Sequence, residues 1–108
     1  MTADPLLDLT LRPRIVEAIC SVYDPEIPVN IWELGLIYGI DIHAERRVRI
    51  RMTLTAPGCP SAQALPLEVE RKVREVDGVA DVYVEIVWEP AWSADRMSDA
   101  ARLHLGML

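Results

Sequence analysis

Among the residues able to do chemistry, Cys59 is the most informative because of its flanking residues. It stands in Ala56-Pro57-Gly58-Cys59-Pro60, directly after a run of alternating residues. Proline suits the first position of a helix, so Pro60 would place Cys59 at an N-cap. The unpaired N–H groups and the helix dipole there favour negative charge. A thiol so placed is expected to have a lowered pKa, and the thiolate is both nucleophile and metal ligand. Pro57-Gly58 reads as a tight turn that aims the side chain outward. A free cysteine is also a common small buried apolar residue, and the local features leave that reading standing.

Asp24 and Glu26 form a second cluster, in Asp24-Pro25-Glu26-Ile27-Pro28. Asp24 follows the last turn of an expected helix, where the dipole disfavours a carboxylate. If this turn lies beside Cys59, the two carboxylates are placed to ligate metal or move protons. The plainer account is that aspartate before proline starts turns by bonding nearby backbone N–H groups. Cys20, on the helix before this turn, reads as core packing, and becomes a second ligand only if that helix faces the Cys59 turn. His43 and His104 read as solvated residues. Trp88 and Trp92, on either side of Pro90, read as cover for the sheet edge, with a partner patch as the alternative. Arg47, Arg49 and Arg51 read as the wet face of a strand rather than an anion site.

Periodicity defines the scaffold for these groups. Residues 1–8 read as a flexible leader and 9–108 as one domain. Leu11, Ile15, Ile19 and Val22 share one face of a helix from about Leu9 to Tyr23, in which Pro13 is tolerable only in the first turn. From Gly35 the period becomes two: Leu36, Tyr38, Ile40 and Ile42 form one strand face. After a turn at His43–Arg46, Val48, Ile50, Met52 and Leu54 form another. A helix from about Pro60 to Val76 should carry Ala62, Leu65, Val69, Val73 and Val76 inward and kink near Pro66. Asp77-Gly78 stops it. Val82, Val84, Ile86 and Trp88 define a third strand, whose acidic outer positions can meet the arginines of the second. Ser93 is placed to cap a last short helix with Met97, Ala101 and Leu103. The order α-β-β-α-β-α implies an α+β two-layer sandwich, a small mixed sheet of about three strands with helices on one face.

Composition bounds the rest. The 108 residues suit one domain, and 51% are hydrophobic, enough for a core. Seventeen acidic residues against eleven basic ones leave a formal charge of −6, which argues against nucleic acid or an anionic membrane as partner. No apolar run approaches the roughly 20 residues of a membrane span, and the first residues lack a signal-peptide pattern, so the expected location is cytoplasmic. Two cysteines make no disulfide framework, and CxxC, HExxH and glycine-rich phosphate loops are missing.

Three motifs together resemble the SufT-like family of iron–sulfur cluster assembly proteins, relatives of the eukaryotic cytosolic targeting factor. They are Val22-Tyr23-Asp24-Pro25-Glu26-Ile27-Pro28-Val29-Asn30-Ile31 with Leu34-Gly35-Leu36-Ile37-Tyr38, Met52-Thr53-Leu54-Thr55-Ala56-Pro57-Gly58-Cys59-Pro60, and Val87-Trp88-Glu89-Pro90-Ala91-Trp92 continued by Met97–Arg102. The resemblance implies an accessory role in the bacterial SUF pathway or its counterpart. It implies Cys59 as the thiol or metal-ligating residue, with Asp24, Glu26 and Thr55 as its polar neighbours. It also implies assembly scaffolds, P-loop ATPase cluster carriers and client apoproteins as partners. PaaD-type factors that mature an oxygenase are similar but usually carry a cysteine-rich tail.

An iron–sulfur cluster normally takes four protein ligands, mostly thiolates. One chain with Cys59 and a carboxylate therefore suits a transient cluster, held between two chains in a homodimer or only during transfer. A carrier or adaptor is expected rather than a catalyst. The alternative is a thiol enzyme with Cys59 as nucleophile and Asp24 or Glu26 as base.

Overall fold

The computed structural model describes residues 5–24, 27–55 and 61–107. Helix α1 spans Pro5–Ile19 and buries Leu11, Ile15 and Ile19. Its start at Pro5 is four residues ahead of the expected Leu9, and its end at Ile19 is four short of Tyr23. Pro13 sits inside it rather than in its first turn. Pro13 is exposed, so the Leu9 carbonyl it leaves without a donor is on the wet side, where water can take the place of the lost bond.

Strand β1 (Ile37–His43) and strand β2 (Arg47–Met52) form the expected antiparallel hairpin, with a register shift between Ile37 and Gly39. Its turn passes through Glu45 and Arg46, both at positive φ. Val48, Ile50 and Met52 point inward, while Arg47, Arg49 and Arg51 point outward.

Pro66 dictates where the next helix starts. Proline disfavours an α-helix upstream of it, because it has no N–H to give and its ring crowds the carbonyl four residues back, a cost that α1 bears at Pro13 and α2 avoids. The chain makes a 3₁₀ turn over Ser61–Ala64, and helix α2 begins only at Leu65 and ends at Arg74. Pro66 therefore lies in the first turn, where its missing donor would have had no partner. Leu65, Val69 and Val73 are buried, and Gly78 at positive φ comes after the helix end.

Strand β3 (Asp81–Ile86) lies parallel to β2, completing a mixed sheet of order β1-β2-β3. Arg47, Arg49 and Arg51 face Asp81, Tyr83 and Glu85 across that pairing. Arg49 donates to Glu85 through both Nε and Nη2, as the charge pattern anticipates. Helices α1 and α2 pack on the other side of the sheet, over Ile40, Ile42, Val48, Ile50 and Val82.

The last segment differs in detail. Ser93 precedes a 3₁₀ turn, Ala94–Arg96, without capping it through its side chain. The cap belongs to Ser98, whose hydroxyl accepts from the Ala101 N–H at 3.0 Å and begins helix α3, Asp99–His104. Met97 and Ala101 are buried as expected, whereas Leu103 is exposed because only one side of this short helix meets the core.

Candidate functional site

A ladder of backbone hydrogen bonds assembles one corner of the domain. Ile31 N–H donates to the Val22 carbonyl at 2.9 Å, Leu36 to Ile31 at 3.1 Å, and Thr53 to Leu36 at 2.9 Å. Val87 N–H donates to the Met52 carbonyl at 2.8 Å. The proline-rich turn, the segment before β1, the end of β2 and the end of β3 thus converge. Asp24 lies two residues beyond Val22, and Thr55 two residues beyond Thr53, so both leave the ladder at this corner.

Asp24 is 7% exposed. Its Oδ1 accepts the Ile27 N–H at 3.0 Å, so it closes its own turn, as aspartate before proline is expected to do. Thr55 is half-buried. Glu26 and Cys59 lie outside the described residues. The expected helix cap at Cys59 is corrected: α2 is preceded by Ala64, and its first residue comes six positions after Cys59. Stabilisation of a thiolate at Cys59 thus cannot be assigned to an α-helix beginning at Pro60.

Beside Thr55 opens a largely apolar cavity of about 380 Å³, lined by Thr53, Leu54, Thr55, Trp88, Ala91 and Trp92. Trp92 packs against the core and donates its Nε1–H to the Leu34 carbonyl at 2.7 Å. It therefore fixes the segment after β3 to the one before β1. Trp88 remains 46% exposed. One tryptophan covers the core, and the other presents its ring at the rim. Thr53, which spacing alone did not single out, is fully buried, and its hydroxyl has no hydrogen-bond partner among the described residues. By alternation it continues the arginine face of β2, so its burial has no signal in the strand period.

Of the remaining candidates, His104 lines a cavity of about 220 Å³ with Tyr23, Pro28, Val29 and Asn30 of the proline-rich turn. Cys20 is half-buried, with burial first and then Glu33 and Glu17 pushing its thiol pKa up, which is wrong for a thiolate ligand. His43 ends β1 at the opposite end of the hairpin, half-buried rather than fully solvated, with its Nδ1 enclosed and without a hydrogen bond among the described residues. His104 is exposed. Among the described residues no group of three or more histidine, cysteine or carboxylate side chains is arranged to hold a metal ion. Nor, among them, is any helix long and apolar enough to cross a membrane.

A three-stranded mixed sheet under two helices, with the segment before β1 and the ends of β2 and β3 tied together at one corner, defines a small α+β domain. The chain belongs to the iron–sulfur cluster assembly protein family, which its residues 12–86 match. It is 49% identical over 100 residues to the Fe-S protein maturation auxiliary factor of Porphyromonas gingivalis, covering 93% of this chain and 95% of that one. It is 37% identical over 86 residues to the Fe-S protein maturation auxiliary factor SufT of Staphylococcus aureus, covering 80% and 98%. A crystallised domain of unknown function from Bacillus anthracis superposes with a TM-score of 0.88 at 31% identity, over 97% of this chain and all of that one. The names carried by these curated relatives describe auxiliary factors rather than catalysts.

Proposed function

We propose that this protein is an accessory factor in iron–sulfur cluster assembly or delivery to client proteins, acting through Cys59 as a thiolate with Asp24, Glu26 and Thr55 around it. Family membership supports the process. The observation that carries the site is the backbone ladder from Val22 through Ile31 and Leu36 to Thr53, because it joins the Asp24 turn to the strand end that runs on toward Cys59. The cavity beside Thr55 adds a largely apolar lining on that side, and a lower local dielectric strengthens any charge interaction made there.

In this reading the cluster is cargo. The chain has two cysteines, and Cys20 is half-buried with its thiol held protonated, so one chain cannot supply four thiolates. A cluster bridged between two chains through paired Cys59 thiolates, or gripped while it passes between partners, would be labile, and lability suits transfer. The partners are assembly scaffolds, P-loop ATPase cluster carriers and client apoproteins, in the cytoplasm. An adaptor fits better than a thiol enzyme, since the curated relatives are named as auxiliary factors and His43 lies at the far end of the hairpin.

The test is cluster occupancy of client enzymes in cells whose sole copy carries Cys59→Ala. Occupancy is expected to fall several-fold, with the variant folded and abundant. Occupancy equal to wild type would remove Cys59 from the mechanism. A reconstituted wild type whose cluster absorbance survives Cys59→Ser would remove it as a ligand.

A further inference from the structure

Two arginines next to this corner have surroundings that a solvated strand face does not require. The guanidinium of Arg51 lies across Gly39, in the space where any side chain at that position would stand. Its Nε is buried, 3.5 Å from Asp41 Oδ2 and without a hydrogen bond among the described residues. The guanidinium of Arg96 stacks over the Tyr38 ring, 4.6 Å from its centroid. The Tyr38 hydroxyl donates to the Pro90 carbonyl at 2.8 Å, which fixes the ring beneath it. Arg96 pairs with no carboxylate among the described residues. Both arginines line one cavity of about 450 Å³, with Ile37 and Val87 as apolar wall and Glu89 at the rim.

The lining thus carries two positive charges and one negative, with Asp41 paired to Arg51 from outside the cavity lining, in a chain whose net charge is −6. A planar guanidinium fork matches a carboxylate. The Glu89 charge disfavours a dianion such as phosphate, and the apolar wall favours a ligand with a hydrocarbon body. We propose that this cavity binds a carboxylate borne on an apolar body, with Arg51 and Arg96 as its two cationic contacts. Binding here uses Arg51 and Arg96 rather than Cys59, and stands or falls independently of the proposed cluster chemistry.

The experiment titrates the full chain with two probes while following the Arg51 and Arg96 Nε–H and Tyr38 ring signals by NMR. One probe is 4-methylpentanoate, and the other is the blocked peptide acetyl-Ile-Glu-Leu-amide, whose only carboxylate is a side chain. Saturable shifts are expected, weakened about tenfold by Arg51→Gln and by Arg96→Gln and several-fold by raising salt from about 0.02 to 0.3 M. Glu89→Gln should tighten binding about two- to threefold, a gain that loss of folding cannot imitate. Binding of the free acid alone assigns a small-molecule ligand, and binding of the peptide alone assigns an acidic side chain of a partner protein; each supports a carboxylate site. No saturable shift with either probe at about 10 mM, a concentration well above the affinity of a paired arginine site, would overturn it. So would shifts that persist unchanged in both arginine variants.

Discussion

The two ends of the β1–β2 hairpin are built by opposite means. At the turn end, Ala44–Arg46 joins strands adjacent in sequence, and the nearby charges pair locally or across one strand: Arg47 with Glu45, and Arg74 with Asp81 and Glu70. At the other end the ties between segments are mostly long-range. Thr53 is tied to Leu36, Val87 to Met52, Trp92 to Leu34, and Ser98 to Glu33 through both backbone and side chain. The turn end needs its neighbours only to close. The site end is a joint among distant segments, and Gly35 sits where they press together. Non-local contacts of this kind can place an aspartate turn, a threonine and a tryptophan at one corner, which a hairpin turn alone cannot do.

The largest expected effect is at that joint. Gly35 has φ +78, and a Cβ there would overlap the Arg96 carbonyl oxygen. Gly35→Ala should cost about 2–4 kcal/mol through strain and displaced backbone, read as a lowered urea midpoint. A loss below about 0.5 kcal/mol would mean that the joint yields easily, and the contrast between the two ends would fail.

Trp92→Phe keeps most of the ring but removes the donor to Leu34. It should cost about 1–2 kcal/mol, as expected for an unsatisfied buried carbonyl, and should lower client-cluster occupancy in cells more than an equally destabilising change at the turn end. Equal effects on occupancy at equal stability would show that the corner has no special role.

At the turn end a substitution should help. Glu45 is exposed at φ +66, a conformation that glycine adopts without strain. Glu45→Gly is expected to raise stability by about 0.5–1 kcal/mol in the same urea assay, with occupancy unchanged. Destabilisation would show that the exposed Glu45–Arg47 pair matters more than the backbone.

The smallest effect is on pH dependence. Hydrogen bonding from Arg74 holds the Asp81 carboxyl below its usual pKa, and that from Arg12 does the same for Asp8. A depressed folded pKa contributes stability that is present above the unfolded value and lost as pH falls through the folded one. Stability should therefore decline below roughly pH 4, and Arg74→Gln should flatten part of that slope. Because both pairs are exposed, the change will be slight and reduced by salt. An unchanged slope would remove Arg74 from the acid response.

How much could be read from the chain is clear from particular residues. Val48, Ile50 and Met52 against Arg47, Arg49 and Arg51 declared a half-buried strand, and the acids of β3 foretold Arg49–Glu85, because a period of two puts alternate residues on opposite faces whatever lies around them. Among the proposed site residues, Cys59, Asp24 and Glu26 stand out by their flanking prolines and Thr55 by motif resemblance alone. The helix cap at Cys59 was misread because Pro60 reads as a helix starter and Pro66 as a kink, whereas Pro66 itself lies in the first turn of α2. Arg96 drew no notice, since its meaning comes from Tyr38, 58 positions earlier.

The amino-acid order alone was enough to define the three strands, the faces that they bury, the turn at Glu45–Arg46 and the helical stripes, all of which arise from interactions within a few residues. It took the closed tertiary fold to set β3 directly beside β2 and to bring Leu34, Leu36, Thr53 and Trp92 to one corner. Those outcomes depend on which distant backbone groups find each other when the chain closes. No local preference encodes a hydrogen bond between residues that are far apart in the chain.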